Sequence, residues 1–230
     1  MKALVLAAGR GERMRPLTDT VPKPLLPAGG KPLIAYHLEA LHRAGVRDVV
    51  INLSWLGESL RAALGDGSQY GLRINYSDEG PVALETGGGI FNALPQLAPG
   101  AFLVVNGDIW TDFDLSRLTL GADADGSALA HLVLVPNPAQ HPHGDFGLDG
   151  DTIVERPTDR YTFSGIGIYR PELFAGSSAG KFPLAPLLRR AIAQKRLHGE
   201  IYHGEWWDVG SAERLALLDA RLCARAAAHS

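Results

Sequence analysis

Residues 6–27 read LAAGRGERMRPLTDTVPKPLLP, so the short apolar opening breaks into a turn carrying Gly9 and Gly11 and then meets Arg10, Arg13, Arg15 and Lys23. An apolar strand that ends in glycines and cations brings backbone N–H groups and positive charge to one place, which is what an anionic ligand needs. It also narrows the fold, because ligands of open α/β sheets gather where strands end and loops begin.

Two common phosphate loops do not fit. A dinucleotide finger requires a third glycine before a helix and an acid about 20 residues on; here Met14 holds the glycine position, Pro16 follows, and Ala28, Gly29 and Gly30 stand where the acid belongs. A P-loop requires Gly-Lys followed by Ser or Thr, whereas Gly30-Lys31 is followed by Pro32. What remains is a loop whose Gly9 and Gly11 amides can approach an anion, with Arg13 and Lys23 able to converge on it.

Downstream, strand-like runs at 2–7, 48–53, 72–76 and 102–105 alternate with helix-like periodicity at 32–44, 56–64 and 88–97. Such alternation predicts an α/β, Rossmann-like fold with a mostly parallel central sheet covered by helices. Mostly strands follow at 128–135, 147–148, 152–155 and 163–169, read as a small antiparallel extension that adds a second wall to the cleft. Ser211 is placed to cap a last helix, with Glu213 in its first turn. At 230 residues and 46% hydrophobic content, residues 1–230 are expected to form one domain, with two halves that divide near residue 125.

A net charge of −3 offers no general attraction for nucleic acid, so anion binding must be local. Cys223 is the only cysteine, which excludes an internal disulfide and fits a reducing, cytoplasmic setting. KALVLAAG is a short run for a secretory leader, and no run reaches the ~18 apolar residues of a membrane span.

The pattern G-x-G-x-R-x-x-P-L-T followed by PKPLLP resembles the signature of the sugar-1-phosphate nucleotidyltransferases, with Glu12 where Ser or Thr is usual. LETGGG at 84–89, VNGD at 105–108, ERP at 155–157 and WWDVG at 206–210 follow in the family's order. The resemblance implies a nucleotide-binding half to about residue 125 and a sugar-phosphate-binding half from about 126, with a triphosphate site formed by Ala7, Ala8, Gly9, Gly11, Glu12 and Arg13, and a base site around Glu79, Glu85, Thr86, Gly87 and Gly88. Glu85 replaces a commoner glycine, and the three glycines 87–89 are expected to allow close approach of a flat ligand. It implies a sugar-phosphate site using Asn106, Gly147, Glu155, Arg156 and Ser164, with Arg156 in place of the usual lysine and Arg160 as a second cation near that wall. Asp108 and Asp208 match the family's metal-binding aspartates, implying Mg2+, with Arg13 and Lys23 as the catalytic charge clamp. His141 and His143 of HPHGD receive no role and are expected to be exposed turn residues.

Within the family, KALVLAAGRGERMRPLT with LETGGG and VNGDIWTDFD is most similar to the branch acting in bacterial peptidoglycan recycling. That implies UTP and N-acetylmuramate 1-phosphate as substrates and pyrophosphate as a product. Glucose-1-phosphate thymidylyl or uridylyl transfer, choline-phosphate cytidylyl transfer and a non-catalytic nucleotide sensor remain open readings of the same residues.

Overall fold

The computed structural model describes residues 1–120 and 127–228; the expected division between halves, near residue 125, lies outside them. In chain order the elements are β1 (Lys2–Leu6), β2 (Pro27–Ala28), β3 (Lys31–Pro32), α1 (Leu33–Arg43), β4 (Asp48–Leu53), α2 (Gly57–Leu64), β5 (Arg73–Asp78) and α3 (Glu85–Leu97). Then come β6 (Phe102–Asn106), β7 (Ile109–Thr111), β8 (Ala130–Val135), β9 (Gly147–Asp149), β10 (Thr152–Val154), β11 (Thr162–Tyr169), α4 (Ala185–Ala193), β12 (Leu197–Ile201), β13 (Trp206–Asp208) and α5 (Ala212–Ala227).

Nine strands form one twisted sheet in the order β5-β4-β1-β6-β11-β8-β12-β10-β9. The run β5-β4-β1-β6 is parallel, and β11 enters antiparallel to both β6 and β8. The second-half strands thus extend the central sheet itself, and β12 lies parallel to β8. Two ribbons, β7–β13 and β2–β3, stand outside it.

Strand alternation explains why both faces are covered. Ala3, Val5, Val49, Ile51, Leu103 and Val105 face α1 and α2, where they pack with Ile34, Leu38, Leu41, Leu60 and Leu64. Their neighbours Leu4, Val50, Phe102 and Val104 face the other way, onto Ile90, Ala93 and Leu97 of α3 and Leu188 and Ala191 of α4. A strand apolar on every residue is stable only when buried on both sides, so KALVL, DVVINL and FLVVN demand this sandwich. A third cluster joins Met14, Leu26, Ala28 and Trp110 to Val209, Leu215, Leu218 and Leu222, fastening α5 beneath the opening loop and the β7–β13 ribbon. Ser211 caps α5 as expected, its hydroxyl accepting from the Arg214 N–H at 3.3 Å. Among the described residues no helix is long and apolar enough to cross a membrane.

His37 of α1 is 4% exposed, and its Nε2 has no hydrogen-bond partner among the described residues. Burial pushes its imidazole down to about 4, against the opposing influence of a hydrogen bond to the Ile109 backbone and the charge of Asp108. The unfolded chain takes up a proton at about 6.5, so between about pH 6.5 and 4 it binds more protons than the fold and stability falls as pH falls. From pH 7 to 5 this contribution is about 2 kcal/mol at ~1.36 kcal/mol per pH unit. Urea unfolding of wild type and His37→Gln at both pH values checks it: the stability difference between them should shift by about that amount, and an unchanged difference would contradict the assignment.

Candidate active site

The parallel register sets Leu6 beside Asn106, so the loops after β1 and β6 leave the same edge of the sheet. Gly107 N–H donates to the Leu6 carbonyl at 2.8 Å, and a Cβ on Gly107 would lie 2.7 Å from that oxygen. Only glycine permits the two loops to run this close.

The two glycines of the opening loop do different work. Gly9 has open space where a Cβ would stand, with nothing within 4 Å. Gly11 sits at φ +67°, and a Cβ there would meet Thr18 Cγ2 at 2.9 Å. Its carbonyl accepts from the Thr18 hydroxyl and the Met14 N–H, and Met14 is buried in the cluster under the loop. Gly11 therefore shapes the loop that Gly9 exposes.

A cleft of about 410 Å3 opens above this edge, lined by Ala7, Ala8, Gly9, Gly11, Glu12, Arg13, Lys23, Asn52, Glu79, Glu85, Thr86, Asn106, Asp108 and Gly210 among others. Lys23, in the PKPLLP turn, is nearly buried, and its Nζ donates to Asp108 Oδ2 at 2.7 Å. An ammonium has three donors, and among the described residues this is the one contact Lys23 Nζ makes. Arg13 is exposed at the same cleft, with no hydrogen bond or ion pair among the described residues.

On the facing wall Ala7 N–H donates to Asn52 Oδ1, Asn52 Nδ2 donates to Glu79 Oε1 at 2.6 Å, and Leu84 N–H donates to Glu79 Oε2 at 2.7 Å. This chain ties the ends of β1, β4 and β5 to the start of α3. Burial raises the Glu79 carboxyl above its ordinary value, although both donors pull the other way. Both Glu79 oxygens are thus engaged by protein. Asn52 was not among the residues expected from the sequence; its signal was a lone amide within DVVINL.

The glycine run at 87–89 makes its closest approaches to protein. A Cβ on Gly87 would lie 2.6 Å from the Phe182 ring, one on Gly88 2.2 Å from the Gly180 carbonyl, and one on Gly89 2.5 Å from Glu79 Oε1. Gly88 N–H donates to the Phe182 carbonyl at 3.0 Å. Glu85, at φ +61° and 3.6 Å from Lys181, lines the cleft with Thr86, whereas Gly87 and Gly88 lie behind it.

A second cleft of about 210 Å3 adjoins the first through Asn106 and Asp108 and is walled by Pro138, His141, Thr162, Phe163, Ser164, Trp206 and Asp208. The β7–β13 ribbon pairs Asp208 with Ile109, and Val209 N–H donates to the Asp108 carbonyl at 2.9 Å, so the backbone sets the two aspartates side by side. Asp208 Oδ2 accepts from Arg214 Nη1. Gly210 leaves the space where these groups converge: a Cβ there would lie 2.3 Å from Arg214 Nη2 and 3.1 Å from both Arg13 Nη2 and Asp208 Oδ1. Arg214 was also missed, being hidden in the first turn of an ordinary-looking helix. Gly165, at φ +84°, admits the Asn106 side chain, which would lie 2.6 Å from a Cβ.

The sugar-phosphate candidates separate. Asn106 and Ser164 line the second cleft, but the Ser164 hydroxyl is committed, donating to the Val133 carbonyl and accepting from Ile166 N–H across an irregularity in β11. Gly147, Glu155 and Arg156 line neither cleft: Glu155 pairs with Arg189 at 3.1 Å, and Arg156 lays its stem over Gly147 and points 3.6 Å from Asp149. Arg160 donates its guanidinium to the Asp145 carbonyl.

Asp108 and Asp208 each use Oδ2 on a cation, and among the described residues nothing engages Oδ1 of either. Two such hard oxygens, with phosphate oxygens and water completing the shell, fit Mg2+. No group of three or more His, Cys, Asp or Glu able to hold a metal occurs among the described residues.

The crystal structure of a Bacillus anthracis protein assigned as a glucose-1-phosphate thymidylyltransferase has the same fold, with a TM-score of 0.86, 20% identity and coverage of 97% of this chain and 95% of that one. Among curated proteins, the N-acetylmuramate alpha-1-phosphate uridylyltransferase of Neisseria meningitidis serogroup B is 53% identical over 221 residues, 94% of this chain and 95% of its own. The enzyme of that name from Caulobacter vibrioides is 36% identical over 233 residues, 96% of each chain. The nucleotidyl transferase family model matches residues 2–224, and with these relatives it establishes that the chain, a strand-end cleft with two adjacent aspartates and a buried lysine, belongs to the nucleotidyl transferase family.

Proposed function

We propose that this enzyme transfers the uridylyl group of UTP to N-acetylmuramate 1-phosphate, giving UDP-N-acetylmuramate and pyrophosphate, in the cytoplasm and in the service of peptidoglycan recycling. The observation that carries the reaction type is the junction of two clefts at Asn106 and Asp108. The 53% identical relative, alike over nearly its whole length, supports the choice of substrates. The larger cleft, built almost entirely from residues 6–108, suits the nucleotide, and the smaller, walled mainly by residues 138–208, suits the sugar phosphate.

An acceptor phosphate oxygen forms the new bond to the α-phosphorus of UTP while the α–β bridging bond breaks and pyrophosphate departs. The attacking oxygen is already anionic near neutral pH, so the site needs no general base. Its task is to hold two repelling anions in line and to stabilise the charge that builds on the transferring group. Backbone amides of the loop around Gly9 and Gly11, which line the larger cleft, receive phosphate oxygens as fixed dipoles. Lys23 holds Asp108 with one donor and keeps two for the α-phosphate, and Arg13 closes on the departing pyrophosphate. Asp108 and Asp208 would hold Mg2+, which when bound screens the phosphate charges from one another.

Coupled assays of pyrophosphate release decide the substrates. UTP with N-acetylmuramate 1-phosphate should exceed UTP with glucose 1-phosphate by at least ~10-fold in kcat/KM, a gap of only ~1.4 kcal/mol. If dTTP with glucose 1-phosphate is the best pair, the substrate assignment is wrong, and no release from any pair would favour a sensor. The charge clamp is tested by substitution: Lys23→Ala and Arg13→Ala should each lose at least ~100-fold in kcat/KM, about 2.7 kcal/mol. Asp108→Asn and Asp208→Asn should be inactive at ordinary magnesium because a neutral amide is a poor ligand for a hard cation. Near-wild-type turnover in any of the four removes that residue from the site.

A further inference from the structure

An acceptor that carries a carboxylate besides its phosphate enters a cleft already holding Asp108 and Asp208. Such a charge is tolerated only where a donor is placed to meet it. The two arginines that the sequence offered for this, Arg156 and Arg160, are committed elsewhere. Among the described residues lining the smaller cleft, the one side chain able to carry positive charge is His141.

His141 is not a free loop residue. Its N–H donates to the Pro138 carbonyl at 2.9 Å, and Gly144, at φ +57°, turns the chain back where a Cβ would strike Asn137 Oδ1 at 2.6 Å. Asn137 fastens the turn by donating to the Pro142 and Arg160 carbonyls and accepting from the Thr162 hydroxyl. The ring itself is held through Nε2, 3.1 Å from Asp145 Oδ1, while Asp145 Oδ2 accepts from the Phe163 N–H of β11 at 2.8 Å. A carboxylate anchored to the sheet backbone thus orients an imidazole at the wall of the cleft, and among the described residues Nδ1 has no partner; it can donate to an anion when the ring carries both protons.

We propose that His141, oriented by Asp145, receives the acidic substituent of the acceptor and sets the preference for a carboxylate-bearing sugar 1-phosphate. The inference rests on the acceptor reading given above. N-acetylglucosamine 1-phosphate lacks only the lactyl ether of N-acetylmuramate 1-phosphate, so the ratio of their kcat/KM values with UTP isolates the contact. The ratio should fall at least ~10-fold in His141→Ala and by less in Asp145→Asn, with melting temperatures close to wild type. If the alanine variant melts early, His141→Gln is read in its place. A wild-type preference for N-acetylmuramate 1-phosphate that survives in the variant overturns this inference alone, as do equal losses toward both acceptors, the result expected of general damage. A wild type that does not distinguish the two acceptors overturns the acceptor reading, and this inference with it.

Discussion

The contact between Lys23 Nζ and Asp108 Oδ2 joins the two loops on which the site is built, one leaving β1 and the other leaving β6. Lys23 is nearly out of water while Asp108 keeps 42% of its side chain exposed. Removing one partner of a fully buried pair costs about 3–5 kcal/mol, and solvent at Asp108 screens this pair to well below that. Its importance is geometric. The ammonium is buried under the loop and bonded to Oδ2, so the carboxylate is held at the seam between the clefts, where among the described residues its second oxygen has no partner.

Around that seam the structure trades side chains for backbone proximity. Gly107 lets the β6 loop touch the β1 carbonyl, Gly165 admits Asn106, and Gly210 makes room for two arginines beside Asp208. Each glycine gives up side-chain packing so that a polar group can stand between the clefts. The third core cluster holds this arrangement from below, since Met14, Trp110 and Val209 anchor the loop, β7 and the residue after Asp208 against α5. A change deep in α5 would therefore reach the site through packing, without touching a ligand.

Much of this was legible in the sequence wherever local chemistry and tertiary position coincide. The strand–glycine–cation order of the first 23 residues places Gly9, Arg13 and Lys23 at a strand end because a parallel sheet leaves them no other edge. Apolar runs such as FLVVN announced strands buried on both faces. β12, reading LHGEI, and the ribbon strands escaped because short, half-polar strands carry little periodic signal. Asn52 and Arg214 escaped for another reason: their partners, Glu79 and Asp208, come from other elements, and nothing local marks the pairing. The glycines of LETGGG were legible as a close approach, but sequence could not say to what, and the approach is to the 180–183 segment and Glu79. HPHGD is the exposed turn that the sequence indicated, with His143 exposed and His141 keeping 44% of its side chain in solvent, but that His141 also lines the smaller cleft was not legible, because its partner Asp145 is fixed by Phe163, 18 residues on.

In the proposed reaction donor and acceptor meet across the seam at Asn106 and Asp108, with no protein group standing between them as a nucleophile. The stereochemistry at phosphorus distinguishes this from a two-step transfer. With UTP made chiral at the α-phosphorus by sulfur substitution, a single in-line displacement predicts a UDP-sugar inverted at that centre. Retention would require two displacements through a nucleotidylated enzyme and would rule out direct transfer.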